Sequence, residues 1–383
     1  MNGPGHIDPQ QALAEAAANE GREHVFPRQL TSDLLAKAEK SEVRRGRVQA
    51  WVVAFGLLVL TLGLPIELPW GTGEWSRAIA GERGRDMLAW MGAMVASLTG
   101  LDADPAAYLL AAAFLALNCI SIYHLLVKFG FEHYPALAGA VMAALAPLSF
   151  VSAASATAYG AGSLAACWLA RALLSSSRDL QPAFIFPAYT LGWIFHWEIG
   201  LLLPAAWVAL SGAPHWKRKR ARSGLAVSGA LWIARLIWLP TASTADWSLC
   251  GSGFLGLLGL GVLLGGMVSL FVPRATEEES GPPRWVLVWL GCGLIACLSN
   301  PIDAGPVGVS LLPIGAIGLA DWISRQSRPD LALRIGVGSL SAQLLLTVGA
   351  TPLLRWRLGS ELPWVDAARA QLEPADLVVV SGP

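Results

Sequence analysis

Charge is what this 383-residue chain has least of: 14% of its residues are Asp, Glu, Lys or Arg, against about 25% in ordinary soluble domains. The two signs balance to a net charge of zero, which offers nucleic acid no electrostatic footing. Cysteine is scarce as well. Cys119, Cys167, Cys250, Cys292 and Cys297 are scattered, and only the last two lie close together. Their spacing is neither that of a metal pair nor that of a redox pair, so no disulfide framework and no zinc centre is expected. Walker motifs, nucleophile elbows and zinc patterns are missing, and neither a metal nor a cofactor is anticipated. The chain is polar for more than forty residues before its first apolar segment. That segment is therefore expected to act as an uncleaved anchor rather than as part of a signal peptide.

What the chain has instead is apolar surface. It is 54% hydrophobic with a mean hydropathy of +0.52, and the apolar residues fall into segments from Val48–Leu64 to Leu331–Ala350. Roughly 30 Å of hydrocarbon needs about 20 helical residues at about 1.5 Å each. Backbone polar groups inside lipid are paired within a helix or not at all. The expected fold class is an all-α polytopic membrane protein with about eleven transmembrane helices, ten to twelve by this count. Intermediate spans are expected at Ala106–Val127, Tyr134–Phe150, Tyr159–Leu174, Leu225–Leu239, Phe254–Val272, Trp285–Leu298 and Val307–Ile323.

Three domains follow: a polar, partly helical tail over 1–47, a membrane domain over 48–350, and a short segment over 351–383. In the tail, Asp8-Pro9-Gln10-Gln11 reads as a capped helix start, and a second helix from about Ser32 continues into the membrane. Arg44, Arg45 and Arg47 precede Trp51, which places the N-terminus in the cytoplasm of a cell-membrane (inner-membrane) protein under the positive-inside rule. Lys217-Arg218-Lys219-Arg220 with Arg222 is a second cytoplasmic anchor by the same rule. Residues 65–104 form the first outside loop, in which Asp86–Leu98 is too short to cross and reads as an interfacial or re-entrant helix. After Glu361–Leu372, an amphipathic stretch, Leu377-Val378-Val379-Val380 reads as a strand in an extracytoplasmic α/β appendage.

Residues 183–210 pose a topological question. The stretch is as long as one tilted helix, yet Arg171 and Arg178 precede it and the basic cluster follows. A single crossing would put one basic flank outside. Pro187, Pro204 and Gly200 interrupt it, so a hairpin of two short helices is expected, turning near His196 to Gly200. Within it, His196-Trp197-Glu198 is a candidate site wall or proton-handling pair, or else a wet turn near the interface. Glu198 has His196, Arg235 and Arg171 as possible partners. Arg171 and Arg235 themselves read most simply as snorkelling side chains. His124 and His133 flank a cytoplasmic turn and read as solvated. The glycines from Gly251 to Gly266 read as a close helix-packing surface.

The other candidate chemistry lies just past the first span, in Leu68-Pro69-Trp70-Gly71-Thr72-Gly73-Glu74-Trp75. Glu74, with Glu67 nearby, supplies a carboxylate able to act as general base towards a hydroxyl, and Arg77, Arg83 and Arg85 are cations suited to a lipid phosphate. The same residue types also make an ordinary interfacial loop with belt tryptophans.

The order of these parts resembles the membrane glycosyltransferases of the GT-C fold, most of all their protein O-mannosyltransferase-like bacterial branch, over roughly residues 48–210. Gly71-Thr72-Gly73-Glu74 lies in register with an Asp-Ser-Gly-Glu motif of one subgroup, Tyr159 with its Tyr after the third span, and Gly192 to Pro204 with its His-containing approach to a Leu-Leu-Pro run. The resemblance implies a hexosyltransferase taking sugar from a polyprenyl-phosphate carrier on the outer face. Glu74 and Glu67 are then the catalytic carboxylates, and Arg77, Arg83, Arg85, Trp75, Tyr159, His196 and Glu198 the substrate contacts. Gly71 stands where the motif carries its catalytic Asp, and Gly84-Arg85-Asp86-Met87-Leu88 replaces the His-Pro-Pro-Gly-Tyr-Pro stretch. A non-catalytic membrane subunit, bound to a protein partner and keeping the fold, is therefore the alternative expectation, with a transporter as a third.

Overall fold

The computed structural model describes residues 28–63, 87–146, 149–150, 153, 159–178, 184–195, 197–212, 215–238, 283–299 and 311–326, with single positions at 268 and 270 and between 331 and 341. Among these, all regular structure is helical, in agreement with an all-α fold. Two of the described helices contain stretches long and apolar enough to cross a membrane by length and composition, Arg44–Gly63 and Pro105–Phe129. The expected span at Phe254–Val272 and the expected strand at Leu377–Val380 lie almost wholly outside the described residues, as does the tail helix after Asp8.

The chain divides into two units, residues 1–53 and 54–383. Helix α1, Arg28–Gly63, runs through the division. It starts close to the expected Ser32 and contains no helix-breaking proline. In the first unit Gly46 and Ala50 are buried while Val48, Trp51 and Val52 are exposed. In the second unit Ala54, Leu57 and Thr61 are buried while Phe55, Val59, Leu60 and Leu62 are exposed. The Thr61 hydroxyl is satisfied inside the helix by donating to the Leu57 carbonyl. Apart from Leu57, these covered side chains are small, whereas the open positions include the bulky Trp51 and Phe55.

The rest of the fold belongs to the second unit. Helix α2, Met87–Thr99, fills the place of the expected short interfacial helix. Its Met91, Val95 and Ala96 pack on Ala107, Leu110, Ala111 and Phe114 of helix α3, Ala103–Phe129. Helix α3 ends at Gly130, whose φ of +107° is open to glycine and strained for any residue with a Cβ. Gly130 donates to the Val127 carbonyl and Phe131 to the Leu126 carbonyl, a Schellman closure that satisfies the final turn. Helix α4 begins three residues after Gly130 and covers His133–Leu145, shorter than the expected Tyr134–Phe150.

Helix α5, Tyr159–Arg178, packs on α3. Asn118 of α3 donates to the Gly160 carbonyl at 2.8 Å, and Gly160 lies against Phe114. At their other ends the Lys128 ammonium donates to the Ser175 hydroxyl at 2.5 Å, and that hydroxyl donates to the Arg171 carbonyl. Later helices complete the body. Helix α9, Arg284–Ser299, buries Trp285 and Trp289. Helix α10, Leu312–Ser324, is buried almost throughout and meets α4 at Gly139, where a Cβ would stand 3.1 Å from the Ala316 carbonyl. Its one buried carboxylate, Asp321, pairs with Arg325 at 2.6 Å.

Two readings of side chains are corrected. His133 is not simply solvated: its Nδ1 shares a hydrogen bond of 2.8 Å with the hydroxyl of buried Tyr123, tying α4 back to α3. Arg235 does not snorkel, because its guanidinium is engaged by backbone carbonyls of a neighbouring helix.

Candidate functional site

The site that can be built from described side chains is the segment after α5. Helix α6 covers Ile185–Phe195, a 3-10 segment Trp197–Leu202, and helix α7 Leu203–Ala209, before a last 3-10 turn at Leu210–Gly212. Helix α8, His215–Trp238, follows with the basic cluster in its first turns. In an uninterrupted helix Tyr189 and Gly200 would lie about 16 Å apart. Here the Tyr189 hydroxyl donates to the Gly200 carbonyl at 2.9 Å. Gly192 likewise faces Ile199, with room for no more than a hydrogen between them. The chain turns back after α6, as the flanking charges and prolines led us to expect.

Contacts along α8 give the register of both legs. The outgoing leg runs parallel to it: Phe186 lies against Gly224, Thr190 and Ser228 share a hydrogen bond of 2.8 Å, and Trp193 Nε1 donates to Ser228 Oγ at 2.8 Å. At the end of this leg, Arg235 Nη1 donates to the Trp193 carbonyl at 2.8 Å and to the Ile194 carbonyl at 3.2 Å, with the guanidinium 5.9 Å from the Trp193 ring. The returning leg runs antiparallel to the same helix. Gly200 lies against the Trp232 indole, Leu203 against Gly229, and Arg222 stacks 5.1 Å from the Trp207 ring. One helix therefore carries both legs, and glycines on each side permit the close approach.

The chemistry of the interface is specific. Ser228 is fully buried, and its hydroxyl serves two partners, one of them the indole of a buried tryptophan. A buried indole N–H without an acceptor would cost about 1–3 kcal/mol. The last carbonyls of α6 have no partner within their own helix and carry the negative end of its dipole. A guanidinium answers both needs, since it is a donor and a cation.

The sequence-predicted residues divide into three groups. Glu67, Glu74, Trp75, Arg77, Arg83 and Arg85 lie outside the described residues, and so does His196. Tyr159 opens α5, next to the Gly160 carbonyl that Asn118 holds. Glu198 falls in the 3-10 segment, which packs against α5, α6 and α9. Tyr159 and Glu198 thus belong to contacting elements.

The polar residues that organise the hairpin, Tyr189, Thr190, Trp193 and Ser228, had no motif to announce them. Arg235 had one signal, a cation inside an apolar run. Among the described residues no group of three or more His, Cys, Asp or Glu side chains could hold a metal, and Cys119, Cys167 and Cys292 are free thiols. No protein-family model, curated protein or solved structure matches the chain.

Proposed function

We propose that the chain is a polytopic membrane protein of about eleven spans, built on a GT-C-like plan, that transfers a sugar from a polyprenyl-phosphate carrier at the outer face. The observation that carries the membrane part is the distribution of side-chain size on the helices. Trp51, Val52, Phe55 and Val59 on α1 and Val227, Leu231, Ile233 and Ile237 on α8 are exposed apolar groups. An apolar surface of that extent is unfavourable in water and natural against acyl chains. Small residues on the covered side, Ala50 and Ala54 among them, are what close packing in lipid selects.

The transfer part rests on Glu74 and its arginine-rich surroundings immediately past α1. Glu74, with Glu67 in support, is the base towards the acceptor hydroxyl. Arg77, Arg83 and Arg85 hold the carrier phosphate, and Trp75, Tyr159, His196 and Glu198 wall the site. The localisation is the cell membrane, with the N-terminus cytoplasmic and the C-terminal segment outside. The test is transfer by the purified full chain in vesicles supplied with polyprenyl-phosphate sugars. Activity lost in Glu74→Gln supports the reading. No transfer by the wild type, together with no cellular effect of Glu74→Gln, overturns it.

A second reading is favoured by Gly71, which stands in the place of the resemblance's catalytic Asp: a non-catalytic membrane subunit that keeps the fold. A stoichiometric partner that co-purifies with an inactive chain is its signature. The folded-back segment over 185–212 favours a transporter in turn, and solute flux in proteoliposomes is the measurement that would establish it.

A further inference from the structure

The register along α8 fixes levels. Phe186 and Trp207, the outer ends of the two legs, stand level with Gly224 and Arg222, beside the basic cluster. Trp193 and Ile194, at the turn, stand level with Arg235. The helix rises about 16 Å between Gly224 and Arg235, roughly half of a bilayer core of about 30 Å. The returning leg pairs Trp207 with Arg222, Leu203 with Gly229 and Gly200 with Trp232.

We infer that residues 184–212 form a re-entrant hairpin, entering and leaving the bilayer on the side of the basic cluster. Arg235 is the positioning residue of its tip, gripping the end of α6. The inference rests on reading the chain as a polytopic membrane protein. It does not depend on the transferase activity. Non-helical backbone is tolerated at membrane depth only where protein or trapped water covers it, and an isolated charge there is costly unless it is partnered. Arg235 meets both conditions with one group: its charge is met by the negative end of α6, and its Nη1 covers the two carbonyls that close the helix.

The test uses the full chain in sealed vesicles, with its five cysteines replaced by alanine. Single cysteines go in at Phe184 and at Ser211, both exposed positions flanking the hairpin, and are labelled with a membrane-impermeant maleimide. Both are expected to react from the same side. Reaction from opposite sides makes the segment a crossing and overturns the inference.

The grip of Arg235 is read from hydrogen–deuterium exchange of the α6 amides in the same vesicles. Arg235→Gln should speed exchange in the last turn of α6 about tenfold, and Arg235→Lys, which keeps a charged donor, should restore most of the protection. Unchanged exchange in a folded Arg235→Gln overturns the positioning role. Should Arg235→Gln not fold, Arg235→Lys decides it: exchange as fast as in the unfolded chain at the end of α6 refutes the grip of a charged donor there. Same-side labelling in a chain without transferase activity refutes only the proposed reaction. Opposite-side labelling in an active chain refutes only the hairpin.

Discussion

Replacing Gly200 with alanine probes the folded-back leg with a single methyl group. A Cβ at this position would overlap the Trp232 indole, meeting its ring carbons and Nε1. An indole is a rigid plane, so relief requires the whole ring to turn or the leg to shift, unlike the flexible end of an aliphatic chain. Overpacking of this kind costs about 1–3 kcal/mol. The Gly200 carbonyl also accepts from buried Tyr189, and any shift that breaks this bond adds about 1 kcal/mol. A total of about 3 kcal/mol, spread over an unfolding entropy of about 2 cal/mol/K per residue, lowers the midpoint of thermal unfolding in detergent by about 4 °C. Gly56→Ala is the matched control, because a Cβ there meets nothing within 4 Å. Its gain in helix propensity, up to about 1 kcal/mol, leaves the midpoint level or slightly higher. On a Trp232→Leu background, Gly200→Ala should cost about 1 kcal/mol or less, since the obstructing ring is gone. Equal effects of Gly200→Ala on the two backgrounds would refute the packing of the returning leg on α8.

Other variants examine independent parts of the fold. Ser228→Ala strands the Trp193 indole N–H and removes one of the two partners of the Thr190 hydroxyl, which keeps its bond to the Phe186 carbonyl, so it should destabilise by about 1–3 kcal/mol, read by the same thermal assay. Asn118→Leu gives up the bond to the Gly160 carbonyl but also removes a side-chain oxygen that has no partner. It should therefore cost about 1 kcal/mol or less, whereas Asn118→Asp buries a charge and should cost several times more. Gly130→Ala forces a Cβ into the left-handed region and should cost about 1–2 kcal/mol. Phe55→Arg, on the open stripe of α1, should oppose insertion of that helix by about 3 kcal/mol, measured as a smaller inserted fraction in a translocation assay.

Much of the helical layout could be read from residue order, because span length and flanking charge depend on composition alone. The helix from Arg28 to Gly63, the short Met87–Thr99 helix and the folding back of the chain beyond α6 all follow from where apolar runs, prolines and arginines stand. Side-chain direction did not follow. Hydrophobic periodicity marks a covered face only where the other face is polar, and along the second half of α1 both faces are apolar. Ala50, Ala54 and Thr61 are covered while Trp51, Phe55 and Val59 are open. The same ambiguity hid Arg235. A cation near the end of an apolar helix can reach outward to water or inward to carbonyls, and only the position of α6 decides between them. Tyr123 and His133 were missed for a related reason, since their bond joins two helices across a turn whose geometry depends on Gly130.

The corner at Gly130 has a mechanical consequence. Only two residues separate its left-handed turn from α4. The Phe129 and Phe131 rings stack nearly parallel, 5.8 Å apart, and the Tyr123–His133 bond braces the same joint. Changing the angle between α3 and α4 would have to part the stacked rings or give up the Tyr123–His133 bond, a cost that a bare two-residue link would not carry.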